Sequence, residues 1–126
     1  MRKVTRLSDR TDPSTYCDED GVSIAVVERD IQLEDVPEEA WFSVPESLFV
    51  RLLCLGQAYS LHFPFLVESQ YDSLLNSKQC EGFLEELQFL KQLISDDALL
   101  PVLNELVSKV EKVVRSSGMF LRFSPP

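Results

Sequence analysis

The stretch LLPVLNELVSKVEKVVRSSGMFLRF, residues 99–123, changes its hydrophobic period part-way along. Leu99, Leu103, Leu106, Val110 and Val113 recur at helical spacing, and Val102, Val107 and Val114 broaden the same apolar face. The opposite face carries Glu105 with Lys109 and Glu111 with Arg115, both spaced i,i+4 with the acid first, the favourable order. Lys112 and Arg115 near the end suit the negative pole of the helix. Pro101 has no N–H to give a helical ladder, so the helix must begin within a turn of it. After Gly118 the period drops to two: Met119, Leu121 and Phe123 alternate with Phe120 and Arg122, as in a strand. A helix that runs through one glycine turn into a strand marks an α+β chain.

Working towards the N-terminus, Phe83, Leu84, Leu87, Leu90 and Ile94 form a second helical stripe, with Glu81, Glu85, Glu86 and Lys91 off it. Ser95-Asp96-Asp97 breaks it from the last helix. A third stripe, Leu48, Leu52, Leu55 and Tyr59 widened by Phe49 and Leu53, predicts a helix ending near Gly56 or Ser60. Ser43-Val44-Pro45-Glu46 reads as its capping box, the Ser43 hydroxyl and the Glu46 carboxylate each serving the other's amide. Leu61 to Leu66, interrupted by Pro64, predicts an extended connection or edge strand. Val22, Ile24 and Val26 alternate with Ser23 and Ala25 as a half-buried strand. Ile31, Leu33 and Asp35 continue the alternation, which predicts a hairpin or one bent strand closed by Val36-Pro37. The expected fold is therefore α+β, a small antiparallel sheet packed against about three amphipathic helices. It forms a single domain over residues 1–126, with 1–21 partly irregular and a thin case for an edge strand at Val4 and Leu7.

Composition sets the bounds of function. The 126 residues hold 44% apolar and 26% charged residues, enough for a core without disulfide or metal. Cys17, Cys54 and Cys80 are odd in number and lack a C-x-x-C pair, which fits a reducing compartment. No apolar h-region follows the basic start, and no apolar run approaches the roughly 20 residues of a membrane span. These point to a cytoplasmic protein without a membrane partner.

The net charge of −9 is unevenly spread. Residues 1–10 carry +3, residues 11–50 carry −10 and residues 51–126 carry −2. Arg2, Lys3, Arg6 and Arg10 are a slight footprint for nucleic acid on so acidic a chain, so no nucleic-acid partner is expected. Asp18-Glu19-Asp20-Gly21 resembles the centre of an EF-hand loop, but Tyr16 and Val27 fall where that loop needs carboxylates. No metal and no cofactor are expected. The glycines are too scattered for a phosphate loop, and His62 is the only histidine. A Cys–His pair using Cys54 or Cys80 with His62 is the sole catalytic option, and the expectation is that the chain is not an enzyme and has no catalytic residues.

The segment 28–46 concentrates the excess charge in Glu28, Asp30, Glu34, Asp35, Glu38, Glu39 and Glu46, with Trp41 and Phe42 adjacent. Carboxylates steer a basic partner into contact, and an aromatic supplies a desolvated anchor. Trp41 and Phe42 are either that anchor or core residues stapling the helix start. Oligomeric state is open.

This acidic run, with the helical tail 83–116, resembles the general plan of bacterial toxin-immunity proteins of the contact-dependent inhibition type. The resemblance lies in size, acidity and layout, and it carries over no individual contact. It implies an immunity or inhibitor protein that neutralises a basic protein toxin by direct binding. An acidic secretion chaperone or adaptor, and a small cysteine-dependent enzyme, are the competing expectations.

Overall fold

A computed structural model describes residues 20–67 and 71–126. The irregular start, the edge-strand reading of Val4 and Leu7, most of the acidic turn at 18–21 and Cys17 lie outside them. The elements are β1 (Gly21–Glu28), β2 (Phe42–Pro45), α1 (Glu46–Ala58), β3 (Ser73–Leu75), α2 (Ser77–Leu93), α3 (Leu100–Arg115) and β4 (Met119–Ser124). The four strands form one antiparallel sheet in the order β2-β1-β4-β3. The expected α+β architecture, an antiparallel sheet with three helices, is what the chain adopts.

Alternation sorts the strand residues onto two faces. Val22, Ile24, Val44, Leu75, Leu121 and Phe123 join the buried faces of all three helices in the main core. Four phenylalanines run through it in a chain, Phe49 to Phe123 to Phe83 to Phe63, with ring centroids 5.9, 6.2 and 5.1 Å apart. Tilted rings at these separations favour edge contacts between opposite ends of the ring quadrupoles.

Each helix starts differently. In α2 the Asn76 side chain accepts from the Gln79 amide at 2.8 Å while the Gln79 side chain accepts from the Asn76 amide at 2.9 Å, a reciprocal capping box. Pro101 falls in the first turn of α3, as its missing donor requires. The capping box read at Ser43–Glu46 does not form, because Phe42–Pro45 pairs with β1 and Ser43 belongs to that ladder. Pro45 stands at the end of this edge strand, where a missing donor is tolerated, and hands the chain directly to α1.

Gly21 pairs with Pro45, and a Cβ on it would stand 2.3 Å from the Ser43 Oγ and 2.6 Å from the Val44 carbonyl oxygen. Only glycine permits this approach of the two chains. Gly118 takes a φ of +82° and makes the turn from α3 into β4.

Two further expectations are corrected. The run Leu61–Leu66 is neither extended nor a strand; Phe63–Phe65 form a 3-10 turn. Phe63 and Pro64 are buried there against Gly56, which therefore lies inside α1 rather than ending it. The Glu86 carboxylate on α2 accepts from the backbone amides of His62 at 2.6 Å and Phe63 at 2.9 Å, so a side chain satisfies the donors at the start of this turn. The bent strand read at Ile31–Asp35 is likewise absent. Leu33–Asp35 and Glu38–Ala40 are two short 3-10 turns, and the segment they form crosses the sheet face opposite the helices.

Candidate functional site

The segment from Arg29 to Trp41, here termed the strap, leaves the end of β1 and returns to the start of β2. Its inner side forms a second, smaller core with the sheet: Val36 packs with Ala25 and Val27, and Ile31, Ala40, Trp41 and Phe120 close around them. Val27 and Phe120 are register partners on neighbouring strands, so the strap rests on a continuous apolar strip. That contact fixes the strap without a regular backbone ladder. Its turns close on themselves, with Val36 N–H donating to the Leu33 carbonyl and Trp41 N–H to the Glu38 carbonyl.

With the inner side apolar, the charged side chains have only the outside to occupy. Glu28, Asp30, Glu34, Asp35, Glu38 and Glu39 are all exposed. The ion pairs among the described residues are Arg51–Asp96, His62–Glu86, Arg115–Glu111 and Arg122–Asp72, and none involves these six carboxylates. No cation of the described residues pairs with them, so within those residues their charge faces solvent. Glu46 stands apart as the first residue of α1, where a carboxylate favours the positive helix pole. Trp41 and Phe42 separate: Phe42 turns to the main core, whereas half-buried Trp41 packs into the second one.

Two cavities flank exposed Leu33. One, of about 410 Å³, is lined by Ser23, Leu33, Glu38, Trp41, Ser124 and Pro125. The other, of about 400 Å³, brings Arg29, Asp30, Gln32 and Glu34 against Arg122. Arg122 reaches the Asp72 Oδ2 at 3.3 Å, and Ser124 Oγ donates to the other oxygen of the same carboxylate at 2.8 Å. The strap chemistry is legible as charge in the sequence. The contributions of Ser23, Ser124 and Pro125 are not, because strand pairing alone brings those termini beneath the strap.

The thiols and the histidine are differently placed. Cys80 is fully buried in α2, and burial pushes its thiol up to about 12, so it carries no thiolate near neutral pH. Cys54 is exposed on α1. The His62 ring lies on the surface with its Nδ1 3.4 Å from the Glu86 Oε2. Among the described residues no group of three or more histidine, cysteine or acidic side chains is arranged to hold a metal ion. No helix in them is long and apolar enough to cross a membrane. Comparisons with family models, curated proteins and solved structures gave no match.

Proposed function

We propose that this chain is a non-catalytic acidic binding protein of the immunity or inhibitor kind, which neutralises a basic protein toxin by seating it on the strap. The observation that carries the proposal is the six exposed carboxylates of residues 28–39, none ion-paired among the described residues, on a segment anchored to the sheet. Anchoring matters because a pre-formed surface loses little ordering entropy on binding. The expected setting is the bacterial cytoplasm, where such a protein protects the cell that makes the toxin.

The test is to identify the protein that co-purifies with the chain and measure its affinity for wild type and for a variant carrying E34Q, D35N, E38Q and E39Q. A basic partner whose affinity drops by about a hundredfold supports the proposal, on the scale of several rim charges lost together. An acidic or neutral partner, or an unchanged affinity, contradicts it.

A second reading, a secretion chaperone or adaptor that dimerises through apolar surface, is favoured by a different feature. Tyr59 just past the end of α1 and Phe89 on α2 meet edge to face at 5.6 Å yet remain 47% and 37% exposed, and Leu93 one turn along is 48% exposed. A dimer in light scattering that F89E and L93K dissolve supports this reading, and a monomer at high concentration removes it. The cysteine-enzyme reading is left with Cys54, since the Cys80 thiol is held protonated.

A further inference from the structure

We propose that the cavity between the strap and the central strands β1 and β4 receives an arginine side chain of the partner, with the guanidinium stacked on Trp41 and hydrogen-bonded to Glu38. The proposal rests on the binding role of the strap and names the group that binds there. Three observations select the ligand.

The first is the chemistry of the wall. Trp41 is half-buried, fixed by the second core and still lining the cavity. Tryptophan offers the best aromatic face for a cation. Glu38 supplies a carboxylate that is exposed and outside every ion pair among the described residues. The Ser124 hydroxyl, having given its proton to Asp72, presents lone pairs, and the Ser23 hydroxyl stands at the same wall. The wall therefore offers acceptors and an aromatic side chain, and no lysine or arginine is among its described residues.

The second is size. A volume of about 410 Å³ sits at the small end of ligand pockets, which run from about 300 to 1,000 Å³, and leaves ample room for one long side chain. The third is contrast with the neighbouring cavity. There Arg29 and Arg122 stand among Asp30 and Glu34, so neither sign of ligand is favoured. Of the two, only the Trp41 cavity has charge of one sign among its described residues.

Arginine is favoured over lysine by geometry. The guanidinium is planar, so it can lie on the indole while its edge donates to Glu38 and the serine oxygens together. An ammonium is a compact, strongly hydrated point charge, and it gains less from a flat wall.

Trp41 is the only tryptophan in the chain, so its indole N–H signal reports on this cavity alone. The full chain is titrated at constant ionic strength with Nα-acetyl-arginine methylamide, and in parallel with the lysine and citrulline analogues. The arginine compound should give a saturable shift of the Trp41 indole resonance, the lysine compound should bind about threefold more weakly, and neutral citrulline should give no saturation. E38Q should weaken the arginine compound by about fivefold or more, while E39Q, whose carboxylate lies outside the cavity, should change it by less than about twofold. Equal response to arginine and citrulline, or equal losses in E38Q and E39Q, would overturn the cavity as an arginine site. Equal losses would still leave the strap attracting cations as a whole, so failure of the cavity and failure of the strap are told apart.

Discussion

Gly82 and Gly56 sit inside helices α2 and α1, and their surroundings predict opposite responses to the same substitution. A Cβ at Gly82 would meet nothing within 4 Å, so Gly82→Ala removes the entropic cost of a mid-helix glycine and should stabilise the protein by about 1 kcal/mol. A Cβ at Gly56 would stand 2.6 Å from both the Phe63 ring and the Pro64 ring, two buried groups. Gly56→Ala should therefore destabilise by roughly 1–3 kcal/mol, the usual range for overpacking. Urea unfolding of both variants checks the pair. Cys80 supplies a pH signature of the same core. Its thiol is about 12 in the fold against 9.0 for an ordinary cysteine, so the unfolded chain releases the proton first as pH rises. The contribution is complete below pH 9 and is lost progressively towards pH 12, which should appear as a falling urea midpoint that is shallower in Cys80→Ala. In the native state at neutral pH, alkylation should label Cys54 and spare Cys80.

Between elements, Asp96 joins what the chain order separates. Its Oδ2 accepts from Arg51 on α1 at 2.6 Å, and its Oδ1 accepts from the amides of Ala98 and Leu99 at 3.0 and 3.2 Å as the chain turns into α3. Asp96→Ala should cost about 2 kcal/mol, while Asp96→Asn, which keeps an oxygen for the turn, should recover about half of that. The long elements were legible in the sequence because burial and periodicity agree in them. Leu103, Leu106, Val110 and Val113 are fully buried, as are Leu121 and Phe123 after the period switches to two. The short elements were not legible. β3 has three residues and its pairing with β4 leaves no periodic trace. Ile31, Leu33 and Asp35 alternate as a strand would, yet Ile31 packs inward while Leu33 is 43% exposed, and two local turns replace the ladder. At Ser43–Glu46, pairing of β2 with β1 overrode a local capping pattern. Propensity decides where tertiary contacts are few, and here the sheet decided.

Seen as a whole molecule, the fold divides into a helical layer, a sheet and a strap, each buried side complemented by the next. The helices use one sheet face for the main core, so the opposite face is free to hold a segment rich in carboxylates on a small apolar base. The carboxylates of this segment are legible in the sequence, because ten net negative charges fall in residues 11–50. The sequence could not locate the cavity, whose wall is drawn from β1, the strap and the end of β4. Association kinetics would show whether the strap, as proposed, attracts a basic partner by its field. Stopped-flow association with the co-purified partner should slow by about tenfold or more as salt rises from low to physiological ionic strength, because screening shortens the reach of the strap. The E34Q, D35N, E38Q and E39Q variant should associate slowly throughout, with a flatter salt dependence. A wild-type rate that ignores salt and matches the variant would rule out steering by the strap.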